Sequence, residues 1–420
     1  MKNKKICIIG LGYIGLPTAA MFATHGFDIL GVDVNPKVVD ELNQGRIIIE
    51  EPYLDIMVQA AVTSGKLTAR SKPDYADVFI IAVPTPINED KTADMTYVKS
   101  AAESIVTYLR EGNIVVLEST SPPGTVNELL VPILEKSGLK CGGQILVAHC
   151  PERVLPGRIL IELVENNRII GGINKVSAEA VKELYKTFVR GNIYITDSTT
   201  AEMCKLMENT FRDVNIALAN ELAMLCERMG INAWEVIELA NKHPRVNLHT
   251  PGPGVGGHCL AVDPWFIVEK FPETARIIEL SRKINDGMPH YVKNKIMNLT
   301  SDVDGKRIVT ILGITYKADV DDVRESPVIE LISMLKKDNV EVRVVDPFVE
   351  SFDGKFDNVY EACEGAHLVV LGVNHKQFEK IDFNKVSKVM AKPQVLDTRN
   401  FWNEKQVCEA GLIYNLLGRG

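Results

Sequence analysis

At 420 residues the chain is longer than one hydrophobic core usually organises, and the ordinary ~150 residues per domain points to about three packed units. Its 46% apolar, 24% charged and 6% aromatic residues are the balance of a folded globular protein; no stretch approaches the ~18 uninterrupted apolar residues of a membrane span, so disordered and membrane classes are excluded. Forty-seven Lys and Arg against 55 Asp and Glu give a net charge of −8 without a long single-sign run. That leaves no electrostatic footprint for nucleic acid, and an anionic partner would need local cationic pockets.

In chain order, Lys2 to Lys5 ahead of an apolar run imitate a signal peptide, but Gly10, Gly12, Gly15 and Pro17 interrupt that run. Periodicity predicts a strand over 5–9, a helix over 13–25, and strands over 27–32, 77–83, 113–118 and 144–148. Strands alternating with helical stretches imply a parallel, doubly wound sheet, here assigned to residues 1–196. The capping residues of 197–200 precede an apolar-periodic stretch without Pro or Gly until Gly230, which predicts one long helix over 201–229 and opens a helical middle domain, 197–299. Residues 244–257 are punctuated by Pro and Gly and read as a loop, after which helices resume over about 272–299. Strands return over 307–312, 340–345, 367–373 and 394–397, so 300–420 form a second α/β unit that lacks a G-x-G-x-x-G. The expected fold is α/β, with two Rossmann-like doubly wound domains joined by a helical middle domain with a long helix.

Gly10-Leu-Gly12-Tyr13-Ile14-Gly15 follows a strand and opens a helix, and Asp33 ends the next strand. Glycines permit the tight turn and close approach of a pyrophosphate to the helix N-terminus, while the acid binds the adenosine ribose hydroxyls and repels a 2′-phosphate. The cofactor expected there is NAD rather than NADP. Val83-Pro84-Thr85-Pro86 and Glu118-Ser119-Thr120-Ser-Pro-Pro123 sit just after strands, where an open α/β sheet binds ligands; they either touch nicotinamide and ribose or are Pro-shaped turns.

Eight cysteines are scattered without a C-x-x-C pair or His/Cys ligand spacing, so neither a disulfide framework nor a metal site is signalled and a reducing cytoplasm fits best. Cys7 and Cys226 lie in apolar runs and read as core. Cys259 follows the glycine loop Gly254-Val-Gly256-Gly257-His, with Asp263 four residues on, a polar setting suited to a nucleophilic thiol. Lys205 and Asn209 are four apart on the long helix and share a face, either solvated or turned into a cleft. In His149-Cys-Pro-Glu152-Arg153-Val154-Leu-Pro-Gly157-Arg158, Glu152 is a general base with arginines as phosphate or sugar ligands, or the segment is an exposed salt-bridged loop.

Together these segments resemble the UDP-glucose/GDP-mannose dehydrogenase family over nearly the whole chain. The specific elements are Gly254-Val-Gly-Gly-His-Cys259 with Asp263, Ala201-Glu-Met-Cys-Lys205-Leu-Met-Glu-Asn209, Pro151-Glu152, and Tyr316-Lys317 followed by Asp322-Val-Arg324-Glu-Ser-Pro327. The Cys150–Arg158 stretch and Asn209-Thr-Phe-Arg212-Asp213 are similar to the branch acting on UDP-N-acetylmannosamine. The resemblance implies an enzyme with Cys259 as nucleophile, Lys205 and Asp263 as its polar partners, Asn209 on the C6 oxygen, Glu152 activating water, and Thr120 bridging water and cofactor. It further implies pyrophosphate wrapped by Gly254, Gly256 and Gly257. Arg153, Val154, Arg212, Tyr316, Lys317 and Arg399 would contact the substrate, Arg324 the cofactor, and Arg245 the partner's site in a homodimer. His258 stands where many relatives carry Ser. A two-electron dehydrogenase of 3-hydroxy acids would need neither the thiol nor the second α/β unit, and a non-catalytic nucleotide-sugar sensor would not need Cys259, Lys205 and Glu152 together.

Overall fold

A computed structural model describes residues 4–420, so Lys2 of the basic N-terminal stretch lies outside the described residues. The chain forms two compact units: residues 1–208 with 265–272, and residues 209–264 with 273–420. Among the described residues no helix is long and apolar enough to cross a membrane.

The first unit is built on β1 (Lys5–Ile9), β2 (Asp28–Val32), β3 (Leu67–Arg70), β4 (Val78–Ile81), β5 (Ile114–Leu117), β6 (Leu146–His149), β7 (Arg168–Gly172) and β8 (Ile193–Asp197). They form one sheet in the order β3-β2-β1-β4-β5-β6-β7-β8. Alternate residues of β1 enter different cores: Ile6 and Ile8 pack on one face, Cys7 and Ile9 on the other. Burial on both faces is why this strand reads as an unbroken apolar run. Strand order reverses at β1, which lies between β2 and β4, and an open α/β sheet places its ligand crevice at such a point.

The sheet is not wholly parallel as expected. β7 pairs antiparallel with β6 at Ala148↔Gly172 and His149↔Gly171, and β8 follows β7 in parallel, so the last two strands are reversed. β3, β7 and β8 were not expected from periodicity. β7 contains two glycines and β8 is only half buried, and either feature erases the apolar signature of a strand.

In the second unit, β9 (Ile308–Leu312), β10 (Glu341–Val345), β11 (Leu368–Leu371), β12 (Gln394–Asp397) and β13 (Ile413–Leu416) pair in parallel in the order β10-β9-β11-β12-β13. The reversal point is again the first strand of the sheet.

The long helix spans Ser198–Met229, one turn earlier than expected, because the cap is Asp197, whose carboxylate accepts the Thr200 N–H at 2.9 Å. The helix expected over 13–25 begins at Gly15, and that expected from about 272 is Arg276–Leu299. Two short helices, Ala233–Ala240 and Asp263–Lys270, were not anticipated; the second has Pro264 in its first turn, where a missing N–H costs nothing.

Candidate active site

In the first unit, the chain leaves β1 into the glycine turn. Gly10 has φ +93°, and a Cβ on Gly15 would lie 1.9 Å from the Gly10 carbonyl oxygen, so neither position accepts a side chain. A Cβ on Gly12 would meet nothing within 4 Å, which leaves the backbone there open to a ligand. The helix Gly15–Thr24 starts after Ile14 with no side-chain cap and no acid in its first turn, so no side chain offsets the positive end of its dipole where a phosphate would sit, although the Leu16 N–H already donates to the Gly12 carbonyl at 3.1 Å. Tyr13 is exposed beside them. Asp33, at the end of β2, accepts the Leu11 N–H at 3.0 Å and the Asn35 N–H at 2.9 Å, so the acid also braces the glycine turn. Its own N–H donates to the Arg70 carbonyl at 3.2 Å, and Arg70 lines a cavity with Val39, Lys72 and Tyr108. These features fit a dinucleotide.

Pro84 is exposed and Thr85 half-buried after β4, while Thr120 is half-buried after β5. Ser119 Oγ donates to the Val83 carbonyl at 2.7 Å, tying these two loops together at the carboxyl edge of the sheet.

The segment after β6 divides. Arg153 pairs with Glu208 at 2.8 Å and donates to the Asn167 carbonyl at 3.0 Å, while Arg158 lies 3.8 Å from Glu162. Exposed pairs of this kind contribute little stability. Val154 packs against the core. Glu152 is buried, and its Oε2 receives the Arg168 guanidinium at 2.8 Å. Behind Arg168 stand Glu118 and Tyr185, both buried. Burial, then the Glu152 charge, pushes the Glu118 carboxyl up to about 7. Arg168 and Tyr185 were not singled out from sequence, and Glu118 was named only as the opening of the segment that carries Thr120. The signal was an acid closing the apolar run of β5 at the ligand edge, and a cation opening β7.

Neighbouring His149 is fully buried with neither ring nitrogen hydrogen-bonded, and burial pushes its pKa down to about 3, so it is neutral. Cys150 is pushed up to about 12 by burial, which makes it inert. Lys205 is buried on the long helix, one turn before Asn209.

In the second unit, Asn209 Nδ2 donates to Asp263 Oδ2 at 2.5 Å, with both residues buried. The Asp263 N–H closes a turn onto the Cys259 carbonyl at 2.8 Å. Cys259 therefore sits at the head of a turn whose other end is fixed to Asn209, and it is exposed. His258 beside it is exposed, its pKa lowered by partial burial and by Arg324.

The glycine loop packs closely on the segments singled out after β9. A Cβ on Gly256 would lie 2.3 Å from the Glu325 carbonyl oxygen, and one on Gly257 would lie 2.8 Å from the Tyr316 ring. Gly254 faces Pro327, and Gly252 lies against the Arg399 guanidinium. Burial lowers the Arg399 pKa to about 10, which still leaves a cation at neutral pH, and Nε donates at 3.4 Å to the Gly372 carbonyl. Arg324 is engaged by Asp322 through two hydrogen bonds, 2.9 and 2.7 Å. Lys317, Arg212 and Arg245 are exposed. The second unit thus brings the glycine loop together with Tyr316, the 324–327 segment and Arg399, a cluster of backbone amides and cations suited to a pyrophosphate.

Sequence reading also missed what supports the loop. Gly252 N–H donates to Asn220 Oδ1 at 2.9 Å, and Asn220 donates to Asn285, which donates to Asp213, the partner of buried Arg282. Among the described residues, no group of three or more His, Cys, Asp or Glu could hold a metal ion.

A strand–glycine turn–helix unit with an acid at the next strand, followed by a cysteine on a glycine loop, defines a nucleotide-dependent dehydrogenase. The chain belongs to the UDP-glucose/GDP-mannose dehydrogenase family: residues 4–189 match its NAD binding domain, 199–287 its central domain and 310–404 its UDP binding domain. It is 49% identical to the UDP-N-acetyl-D-mannosamine dehydrogenase of Methanocaldococcus jannaschii, over 100% of this chain and 97% of that protein. It is 47% identical to the NDP-N-acetyl-D-galactosaminuronic acid dehydrogenase of Ralstonia solanacearum, over 96% and 97%. Among solved structures, the UDP-D-ManNAc dehydrogenase from Pyrococcus horikoshii superposes with a TM-score of 0.92 at 41% identity, covering 99% of both chains.

Proposed function

We propose that this chain oxidises the C6 hydroxyl of a UDP-hexosamine to the carboxylate, with NAD as acceptor, and that UDP-N-acetyl-D-mannosamine is the substrate, feeding synthesis of surface polysaccharide precursors. The observation that carries the reading is the turn that presents exposed Cys259 while fixing Asp263 to Asn209. Several similar proteins are named for UDP-N-acetyl-D-mannosamine, which supports the choice of sugar.

Alcohol to acid is a four-electron change, so the aldehyde must be held between two two-electron steps. Bound NAD supplies the hydride acceptor for each. The Cys259 thiolate adds to the aldehyde carbon, forming the C–S bond of a thiohemiacetal; loss of hydride gives a thioester, and water then displaces sulfur to give the acid and regenerate the thiol. Lys205 as ammonium, with Asn209, stabilises the oxyanion at each stage, a kind of contact worth about 3–4 kcal/mol elsewhere. Glu152 takes the proton from the attacking water, with Thr120 placing that water, and Asp263 serves the thiol end. Gly254, Gly256, Gly257, Tyr316, Lys317 and Arg399 hold the UDP moiety; Arg153, Val154 and Arg212 contact the sugar side, and Pro84, Thr85 and Arg324 the cofactor. Asp33 selects NAD over NADP.

Met207, Phe211, Leu218, Leu225 and Met229 are exposed along the long helix at spacings of four and seven, an apolar stripe that supports a homodimer built on the middle segment, 197–299. Arg245 is the residue assigned to the partner's site. A reducing cytoplasm keeps Cys259 as a thiol. The test is NADH absorbance with a panel of UDP-sugars: two NADH per UDP-N-acetyl-D-mannosamine and uronic acid as product are expected. One NADH with free aldehyde released would replace this reading with a two-electron dehydrogenase, and preference for UDP-N-acetylglucosamine, UDP-glucose or a galactosamine epimer would move the substrate assignment alone.

A further inference from the structure

Glu152 is held at both oxygens. Oε1 accepts its neighbour's amide, Arg153 N–H, at 2.8 Å, and Oε2 accepts Arg168 Nη2 at 2.8 Å. Arg168 is 5% exposed and is itself shared. Its other nitrogen lies 4.0 Å from Glu118 Oε1 and 3.5 Å from Cys150 Sγ, and its guanidinium sits 4.6 Å above the Tyr185 ring. Glu118 in turn accepts the Tyr185 hydroxyl and, at 3.5 Å, Thr18 Oγ1. The groups come from five places: the segments just after β5 and β6, the start of β7, and the helices Lys175–Tyr185 and Gly15–Thr24. A fold that buries two carboxylates around one guanidinium accepts a large desolvation cost, and that cost is unnecessary for packing alone.

We propose that Arg168 is a positioning residue for thioester hydrolysis: it fixes the Glu152 carboxylate, while Glu118, held by Tyr185, sets how firmly Arg168 grips it. This rests on the assignment of Glu152 as the group that activates water. The electrostatics give the sign. Glu118 titrates near neutrality, displaced upward by burial and by Glu152. The groups facing it are Glu152, Arg168, Tyr185, Thr18 and Cys150, and burial keeps the Tyr185 phenol and Cys150 thiol protonated through this range. Below the titration, neutral Glu118 leaves the whole Arg168 charge to Glu152. Above it, the Glu118 carboxylate draws on the same cation and loosens its hold on the Glu152 carboxylate. Acid release should therefore rise with pH through about 7.

The test uses the full-length enzyme with saturating NAD and UDP-N-acetyl-D-mannosamine, following acid release by rapid quench and the Cys259 acyl adduct by intact mass. Arg168→Gln is expected to slow acid release about 100-fold with adduct accumulating, and Arg168→Lys to restore part of the rate. Glu118→Gln, nearly isosteric, is expected to fold and bind substrate normally while erasing the rate step near pH 7. Glu152→Gln is run in parallel. Wild-type acid release in Glu152→Gln would remove Glu152 from the chemistry. A stalled adduct in Glu152→Gln, together with unchanged rate in Arg168→Lys and an unchanged pH step in Glu118→Gln, would overturn the positioning role alone. If Arg168→Gln does not fold, those last two variants decide.

Discussion

The two sheets open with the same device and use it differently. In the first, Gly10 N–H donates to Val32 at 2.8 Å, and Asp33 after β2 accepts amides from Leu11 and Asn35 at 3.0 and 2.9 Å. In the second, Gly313 N–H donates to Val345 at 2.8 Å, and Asp346 after β10 accepts amides from Ile314 and Phe348 at 2.7 and 2.9 Å. Turn and acid correspond; the chain beyond them does not. After Gly10 it enters a helix at Gly15, so a helix N-terminus without a side-chain cap follows directly on the turn that the half-buried Asp33 braces. After Gly313 no helix begins until Pro327, and Asp346 is 3% exposed. Asp346 accepts Nε2 of buried His375 at 3.1 Å, and His375 Nδ1 accepts the Asp319 amide at 2.9 Å, which fixes the neutral tautomer. One acid stays half-buried and reachable; the other is consumed in stitching its own domain. The strand–turn–acid pattern thus belongs to the fold, and what the first sheet adds is the helix that comes straight after it, on which the proposed dinucleotide site depends.

That contrast can be broken in three ways, taken from the largest expected effect. Cys259→Ser removes the chemistry and neither nucleotide site: net acid production should fall at least about 1,000-fold while NAD and UDP titrations by calorimetry stay unchanged. Full acid output from this variant would end the thioester route. Gly15→Ala strikes the feature the second sheet lacks, since its Cβ would collide with the Gly10 carbonyl 1.9 Å away. NAD affinity should weaken about 100-fold, equivalent to roughly 2.7 kcal/mol, with UDP affinity preserved. Equal loss of both would mean that the substitution acts on folding.

Asp346→Asn should do the reverse, lowering stability in urea by about 1.5–3 kcal/mol, the range for hydrogen bonds to a charged group, with NAD affinity unchanged. It should also alter acid sensitivity. Burial pushes the Asp346 carboxyl up, but bonds from His375, Ile314 and Phe348 more than offset this and hold it below the ordinary carboxylate value. A depressed folded-state pKa contributes stability present above the unfolded value and lost as pH falls through the folded one. The wild-type protein should therefore lose this contribution at acid pH, and the Asn variant should show a flatter profile there. An unchanged profile would detach Asp346 from the network.

Much of this was legible in the sequence, for identifiable reasons. The G-x-G-x-x-G with Asp33 could be read because local turn chemistry and strand ends fix it within one β-α-β unit. Cys259, Asp263 and Asn209 were legible as motif residues, and Tyr316, the 324–327 segment and Arg399 as candidate ligands. Their convergence on the glycine loop was not, because it depends on tight packing that only the removal of Cβ atoms permits. The Glu118–Arg168–Tyr185 cluster was hidden for a different reason: its members are far apart in sequence, and the pairing of β5, β6 and β7 brings Glu118 and Arg168 together beneath the helix that carries Tyr185. The reversed β7 and β8 carry no periodic signal that distinguishes their direction.

The cysteines have a practical corollary. Burial holds the thiols of Cys7, Cys150 and Cys363 up near 12, and Cys226 is also raised, whereas Cys259 and Cys408 are exposed. A mild electrophile added at neutral pH therefore meets a chain that is largely deaf to alkylation, with Cys259 among the few addresses it can reach. Covalent inhibitors or activity-based probes aimed at this position start with most of their selectivity against the other sulfurs already built into the fold.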